Sequence, residues 1–286
     1  MVTEPDPRLH AWREDLADIR LRGRVPSARF VEGRPAMVAV PVASVHRRPQ
    51  RGAPVDTQLL FGDRLKILDR DGDWCWIQSD HDSYTGYVAA GCLSENLLTP
   101  THLVAAARTF VYPEPELRTP PMTALSMGSR LAVTGVTERR GTCYCELATG
   151  GHVFAGHLVE AGFRLADHVE AAERLIGTPY LWGGTSAFGI DCSGLVQLSL
   201  RMAGRSVLRD SDMQEASLGI APGDDEPVRR GDFLFWPGHV AIAAADDRLL
   251  HANGYTMQVS LEPMAEALAR IAGKYGPPRG RRRLEE

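Results

Sequence analysis

Cys192 lies where a nucleophile could be placed, between a glycine-rich stretch and an apolar helical stretch. Gly183 and Gly184 come before it in the chain, and Asp191 and Ser193 flank it. A thiol at the start of a helix lies at the positive end of the helix dipole, which predicts a lowered pKa. Its backbone N–H would face open space and could stabilise an oxyanion. A lone helix-start cysteine is usually structural, but this setting favours nucleophilic catalysis.

Two histidines follow in strand-like runs, His239 before an apolar run and His251 after a turn at 245–248. In a hairpin of this length the two histidines lie on adjacent strands. His251 could then hydrogen-bond His239 and set its tautomer. A thiol, a base and an orienting group therefore occur in chain order, which indicates a cysteine peptidase.

The other cysteines give a weaker signal. Cys143 and Cys145 stand two apart in a strand-like segment, a spacing that suits neither a disulfide nor a CxxC zinc knuckle. His152 and His157 lie nearby, so metal binding is the alternative to a structural role. We interpret four cysteines as small buried residues: Cys75, Cys92, Cys143 and Cys145. We expect no metal and no cofactor.

The bulk composition is that of a folded protein with two or three domains. The chain has 286 residues, of which 44% are hydrophobic, and a formal net charge of −4. This charge gives no sign of nucleic-acid binding. One basic run, 279–283, is expected to be a solvated tail.

The first 26 residues carry acidic side chains and no uninterrupted apolar core, so no secretory signal is expected. No segment approaches the ~20 apolar residues of a membrane span. Five cysteines, an odd number, fit a reducing compartment. These features predict a cytoplasmic protein.

The chain divides into four segments by pattern: 1–35, 36–95, 96–162 and 163–286. In the first, a lead-in segment, Leu9, Trp12, Leu16 and Ile19 are spaced as one face of a short helix, which we expect to pack as a strap.

An internal repeat links the second and third segments. Residues 59–65 match 125–131, and residues 87–93 match 152–158. Each unit contains about 60 residues with short β-runs and no helical period, the size of a small barrel.

The fourth segment predicts an α+β layout. Helices are expected over 169–176, from Cys192 to Gly204, and over 264–271. Strands are expected at 233–236, 240–243 and 248–252.

This segment resembles the NlpC/P60 family of papain-like cysteine peptidases over about 165–275. The family's Tyr-x-Trp-Gly-Gly block stands at 180–184, its Asp-Cys-Ser-Gly block at 191–194, and its Gly-Asp and His-Val-x-Ile blocks at 231–232 and 239–242. The resemblance implies the following catalytic roles: Cys192 as nucleophile, His239 as base, His251 as orienting group and Tyr180 as an oxyanion donor. It implies cleavage of cell-wall peptides between the γ-carboxyl of D-glutamate and a diamino acid.

Segments 36–95 and 104–160 resemble bacterial SH3-like (SH3b) barrels, the first through Gly86-Tyr87-Val88. Two such barrels before the catalytic block are similar to a subgroup that trims free murein tripeptides or tetrapeptides with an unblocked N-terminal L-Ala. The resemblance implies these substrate-binding residues: Asp191, Ser193, Asp210, Ser211, Trp182 and Tyr87. A carboxylate partner for the buried ammonium is expected on charge grounds as well. Tyr84 is the alternative to Tyr87 as a wall of the site.

Other functions remain open. A thiol amidase or acyltransferase is possible on the same scaffold, because fold does not determine function. An endopeptidase acting on intact peptidoglycan would not need a free alanine, and a binding protein with a remnant site would not turn over. No nucleic-acid or membrane partner is expected, and the sequence does not indicate an oligomeric state or the preferred diamino acid.

Overall fold

The computed structural model describes residues 5–223 and 225–285. The chain divides into two compact units, Met1–Ala161 and Gly162–Glu286. Buried apolar clusters form separate cores in the two units.

The helix predicted within the lead-in segment is wrong. Residues 19–21 form one 3₁₀ turn, and the rest is extended or turned, with two short strands: β1 (Ala17–Asp18) and β2 (Phe30–Val31). Leu16 is buried against Leu68 and Trp76, so the apolar spacing reflects a packed strap rather than a helix face. Residues 1–4 of this segment lie outside the described residues.

A seven-stranded antiparallel sheet follows, in the order β5-β4-β8-β7-β6-β3-β9. Its strands are β3 (Arg34–Val38), β4 (Val42–His46), β5 (Val55–Leu60), β6 (Arg64–Asp71), β7 (Trp74–Ser79), β8 (Thr85–Ala89) and β9 (Leu93–Ser94). Alternating apolar residues such as Val45, Ile77 and Val88 point to one face and form the core.

The rest of the first unit has two further sheets, β13-β10-β17 and β12-β11-β16-β15-β14. Their strands are β10 (His102–Val104), β11 (Arg108–Tyr112), β12 (Thr123–Ser126), β13 (Arg130–Leu131), β14 (Val133–Arg139), β15 (Thr142–Leu147), β16 (His152–Phe154) and β17 (Leu158–Glu160). Their core contains Val104, Leu125 and Val153.

The internal repeat has a structural counterpart. Gly62 and Gly128, at matching positions, both have positive φ, +80° and +82°. Their N–H groups bond the carbonyls of Val38 and Val104 at 3.0 and 2.9 Å. Only glycine adopts this backbone without strain, so the repeated glycine marks a repeated turn.

The second unit is α+β. Its elements are α1 (His168–Glu173), β18 (Thr185–Ser186), β19 (Gly189–Ile190), α2 (Cys192–Met202), α3 (Ser211–Ser217), β20 (Phe233–Trp236), β21 (His239–Ala245), β22 (Arg248–Asn253), β23 (Gln258–Pro263), α4 (Met264–Tyr275) and β24 (Gly280–Arg282). The main sheet is antiparallel, in the order β23-β22-β21-β20-β24. The predicted helices and strands are confirmed, although α1 ends three residues earlier than expected. In the part of the chain that the structure describes, no helix is both long and apolar enough to cross a bilayer.

The basic run near the C-terminus is not a solvated tail. Residues 280–282 form β24, which pairs with β20 at the edge of the sheet. Arg283 binds both carboxylate oxygens of the buried Asp232, at 2.7 and 2.8 Å. Arg279 pairs with Glu215. These cations hold the last strand in place, which composition alone could not indicate.

Candidate active site

Glycines allow the loop before Cys192 to touch the helix that follows. A Cβ on Gly184 would lie 2.5 Å from the carbonyl oxygen of Gly189, and a Cβ on Gly194 would lie 2.2 Å from that of Gly184. Gly183 has a positive φ of +75°. Larger residues would push the loop away from the first turn of α2, so these glycines determine where the cysteine lies.

Asp191 caps α2, so Cys192 is the first residue of the helix, as predicted. Its Oδ1 accepts the N–H of Gly194 at 2.7 Å and the hydroxyl of Ser193 at 3.3 Å. Its Oδ2 accepts the N–H of Gly183 at 2.9 Å. One carboxylate therefore ties the glycine loop to the helix start.

Arg209 completes this cap, and sequence reasoning missed it. Its guanidinium donates to Asp191 Oδ2 at 2.6 Å and to Ser193 Oγ at 2.7 Å. Its side chain is only 1% exposed. Asp191 and Ser193 were predicted to bind substrate, but the structure directs their side chains to this internal network. Arg209 compensates the Asp191 charge, and substrate binding by Asp191 and Ser193 stays a prediction.

The two candidate histidines meet across neighbouring strands. His239 begins β21 and His251 lies on β22, which pairs antiparallel with β21. His239 Nε2 and His251 Nδ1 are 2.9 Å apart. This is the contact that the hairpin spacing predicted. With Nε2 engaged, Nδ1 is the ring nitrogen of His239 left to act on a reacting group.

A carboxylate continues the row beyond the histidines. His251 Nε2 lies 2.9 Å from Glu262 Oε1 on β23, and the His251 side chain is fully buried. Glu262 also accepts hydrogen bonds from Ser260 and Arg270. Sequence reasoning missed Glu262, although alternation along β23 puts it on the same face as Ser260, which pairs with His251.

The sulfur of Cys192 lies at the start of β21. Backbone N–H groups of Ser193 and of Val240, the residue after His239, bond the sulfur and lower its pKa. Burial and the Asp191 charge act in the opposite direction and are stronger, so they raise the pKa of Cys192 to about 12. The lowered pKa expected from the helix dipole is therefore wrong for the thiol considered alone, because desolvation outweighs the dipole.

Burial also disfavours the charged forms of the two histidines. It lowers the pKa of His239 to about 3, with smaller contributions from His251 and Arg270. It lowers that of His251 too, against the opposing effect of Glu262. Proton transfer from thiol to His239 keeps the net charge of the pair at zero, so it avoids burying a single unpaired charge. The arrangement is suited to general-base activation of a thiol.

Tyr180 is half-buried near the same sulfur. Burial, followed by the charges of Cys192 and Asp191, raises the pKa of its hydroxyl. The hydroxyl therefore stays protonated at neutral pH and can donate a hydrogen bond. Its backbone N–H bonds the carbonyl of Met257 at 2.9 Å, which holds the tyrosine beside the sheet.

The remaining predicted residues fall into two groups. Asp210 and Ser211 begin α3, which Gln214 attaches to α2 by a bond to the Ser193 carbonyl at 3.0 Å. Trp182 is 71% exposed on the loop before Cys192. These three lie in the same unit as the candidate nucleophile.

Tyr87 belongs to the first unit, on β8. Its hydroxyl accepts a hydrogen bond from Arg13 at 3.0 Å, and Arg13 in turn stacks on Trp76 at 4.4 Å. Tyr84, the alternative, is buried within that unit. A role for either tyrosine in walling off the site stays a prediction.

The cysteines outside the site are unpaired. Cys75 and Cys145 are buried as expected and Cys92 is partly buried, but Cys143, the second residue of β15, is exposed. Among the described residues, no group of three or more metal-ligating side chains comes together.

Comparison with known proteins identifies two domains. Residues 177–271 match the NlpC/P60 family, and residues 45–93 match the bacterial dipeptidyl-peptidase SH3 domain. The second predicted SH3b barrel stays a prediction.

Two curated relatives align with most of the chain. Dipeptidyl-peptidase 6 of Lysinibacillus sphaericus is 27% identical over 251 residues, covering 81% of this chain and 92% of that protein. A γ-D-glutamyl-L-lysine dipeptidyl-peptidase of Bacillus cereus is 24% identical over 240 residues, covering 73% and 71%. The crystal structure of an NlpC/P60 family protein from Bacillus cereus superposes with a TM-score of 0.71 at 20% identity, over 87% of this chain and 99% of that one. This similarity shows a shared fold.

Proposed function

We propose, from the premise that this chain is an NlpC/P60 peptidase, that it hydrolyses the γ-D-glutamyl–L-diamino acid bond of free murein peptides with an unblocked N-terminal L-Ala. The observation that carries the proposal is the 2.9 Å contact between His239 and His251, together with the bond from the N–H of the next residue, Val240, to the Cys192 sulfur. The relatives named as γ-D-glutamyl-L-lysine dipeptidyl-peptidases support the choice of bond.

The reaction begins with proton transfer from the Cys192 thiol to Nδ1 of His239. The sulfur attacks the γ-carbonyl carbon of D-glutamate, and its negative charge passes to the carbonyl oxygen. The Cys192 N–H, at the start of α2, and the protonated Tyr180 hydroxyl would stabilise this oxyanion.

His239 then gives its proton to the amine of the diamino acid, and the C–N bond breaks. This leaves a thioester between the sulfur and the dipeptide. Water, deprotonated by His239, attacks the thioester carbonyl and releases L-Ala-γ-D-Glu, and the thiol recovers its proton.

Recognition of the free alanine would fall to Asp210 and Ser211. Asp210 is the other carboxylate of the predicted pocket, besides Asp191, which pairs with Arg209. It lies at the start of α3, beside the first turn of α2. Trp182, exposed on the glycine loop, offers an apolar surface to the peptide. A cytoplasmic location, where such free peptides would be met, is part of the same proposal.

The test is an assay on L-Ala-γ-D-Glu-L-Lys with products identified by mass, comparing wild type, Cys192→Ala and Cys143→Ala. Cys143 is exposed on β15 and serves as the matched control. We expect Cys192→Ala to lose all turnover and Cys143→Ala to keep the wild-type rate. Full turnover by folded Cys192→Ala would refute the mechanism.

The same assay separates the alternatives. N-acetylation of the alanine should lower the rate sharply if an ammonium pocket exists. Equal rates on blocked and free peptides would instead favour an endopeptidase acting on intact wall. A product joined to an added amine, in place of the free acid, would indicate an acyltransferase.

A further inference from the structure

Glu262 lies at the end of the hydrogen-bonded row that leads away from His239. His251 stands between them, 2.9 Å from each neighbour. The Glu262 side chain is 17% exposed, so its charge acts in a partly desolvated setting. A carboxylate in such a setting interacts strongly with the groups that touch it.

The groups around Glu262 are hydrogen-bond donors. Ser260 donates to Oε1 at 2.9 Å and Asn253 at 3.4 Å, while Arg270 donates to Oε2. Burial would raise the pKa of Glu262, but the bonds from His251, Arg270 and Ser260 outweigh it and lower the pKa. An ionised carboxylate can only accept hydrogen bonds. His251 must therefore donate to it through Nε2–H.

The proton position on His251 determines the proton position on His239. A neutral His251 that is protonated on Nε2 carries a lone pair on Nδ1. His239 must then donate its Nε2–H to that lone pair, at 2.9 Å. A neutral His239 protonated on Nε2 is unprotonated at Nδ1, which is the form that can remove a proton from a thiol.

We propose that Glu262 is a positioning residue that determines the tautomers of both histidines and so keeps Nδ1 of His239 available as the base. The proposal rests on the proposed function for its effect on catalysis. Its structural part, the proton positions on the two rings, stands independently of the substrate.

Arg270 makes the position sensitive to an isosteric change. The Arg270 guanidinium has only hydrogen-bond donors, so it holds an acceptor on its side of residue 262. In Glu262→Gln the amide oxygen would turn to Arg270 and the amide NH₂ to His251. His251 would then accept at Nε2 and donate from Nδ1, and His239 would accept at Nε2 and carry its proton on Nδ1. That tautomer cannot act as the base.

The kinetic test compares wild type with Glu262→Gln and the matched control Glu266→Gln, an exposed glutamate on α4. We expect kcat on L-Ala-γ-D-Glu-L-Lys to fall by about 10²–10⁴-fold in Glu262→Gln, with KM changed less than threefold, since a base in the wrong tautomer loses chemistry rather than binding. Glu266→Gln should keep the wild-type kcat. A kcat within twofold of wild type for Glu262→Gln overturns the proposal.

A spectroscopic test needs no substrate. Nitrogen-15 NMR of labelled wild-type protein reads which ring nitrogens are protonated. We expect both histidines as Nε2–H in the wild type and as Nδ1–H in folded Glu262→Gln. Nδ1–H on His239 of the wild type overturns the inference even if the protein hydrolyses the peptide. If the wild type has no activity on the peptide but shows Nε2–H on both rings, the proposed function fails and the inference holds.

Replacing Arg270 should restore activity to the Glu262→Gln variant. In Glu262→Gln combined with Arg270→Met, the amide can turn its oxygen to His251 and restore the productive tautomers. We expect the double variant to be at least tenfold more active than Glu262→Gln alone. A double variant no more active than the single one overturns the proposed role of Arg270 in orienting the amide.

Discussion

Replacing Arg209 by methionine would leave the Asp191 carboxylate buried without its counter-charge. The two side chains are 1% and 11% exposed and 2.6 Å apart, so solvent screens the pair little. Breaking a buried ion pair from one side costs about 3–5 kcal/mol, because the remaining charge is uncompensated. Whole domains are stable by roughly 5–15 kcal/mol, so this loss is large.

The cost should fall on α2, because Asp191 caps that helix and Arg209 also holds Ser193 at its first turn. Hydrogen exchange followed by mass spectrometry on peptides from 192–202 measures the opening free energy of this helix. We expect Arg209→Met to lower it by about 3–5 kcal/mol. Peptides from the first unit, such as 74–79 in β7, provide the internal control and should exchange as in the wild type.

A double-mutant cycle separates the charge from the lost contacts. Asp191→Asn keeps a side-chain oxygen for the helix cap but removes the negative charge. Combined with Arg209→Met, it should recover on the order of 2 kcal/mol of the loss, because no buried charge is left unpaired. Two results would show that the ion pair does not stabilise the start of α2. One is that the effects of the two substitutions on the opening free energy are additive; the other is that amides of α2 exchange as slowly in Arg209→Met as in the wild type.

Three further outcomes are expected. Gly194→Ala should destabilise the catalytic unit by roughly 3 kcal/mol or more in urea unfolding, because its Cβ would lie 2.2 Å from the Gly184 carbonyl oxygen; unchanged stability would show that the loop can move. Burial lowers the pKa of His168 to about 4 in the folded state, so below pH 6.5 the unfolded chain binds more protons and the free energy of unfolding falls between pH 6.5 and 4. His168→Phe should remove roughly 3 kcal/mol of this acid-induced loss of stability. An unaltered dependence of stability on pH in the variant would contradict this account. Iodoacetamide should alkylate Cys192 at pH 7 at least tenfold more slowly in His239→Ala than in wild type, because transfer to His239 is the route to thiolate; equal rates would show that the histidine does not activate the sulfur.

Local chain features account for the parts of the site that sequence predicted. The cap at Asp191 and the helix that begins at Cys192 depend on residues within one turn. The meeting of His239 and His251 depends on one short hairpin, whose length places them on adjacent strands. Even the repeated glycine turns at Gly62 and Gly128 follow from a backbone preference.

Predictions were wrong where the environment of a residue, rather than its neighbours in sequence, determined the outcome. The spacing 9–19 suggested a helix, but the chain there is an irregular strap in which Leu16 is buried against the first sheet and Ile19 is exposed. The basic run at 279–283 suggested a tail, but Arg283 binds the buried Asp232 and residues 280–282 pair with the sheet. Cys143 and Cys145 share a strand face, yet one is exposed and the other buried.

The sequence by itself determined the order of nucleophile, base and orienting histidine, because short-range backbone preferences place them at a helix start and on one hairpin. Only the tertiary structure decided the electrostatics. It brought Arg209 to Asp191 from 18 positions away and joined Glu262 and Arg270 to the histidines. It also buried the sulfur until desolvation outweighed the helix dipole. Burial and charge pairing depend on which residues the whole fold packs around a side chain. The spacing of residue types along the chain does not contain that information.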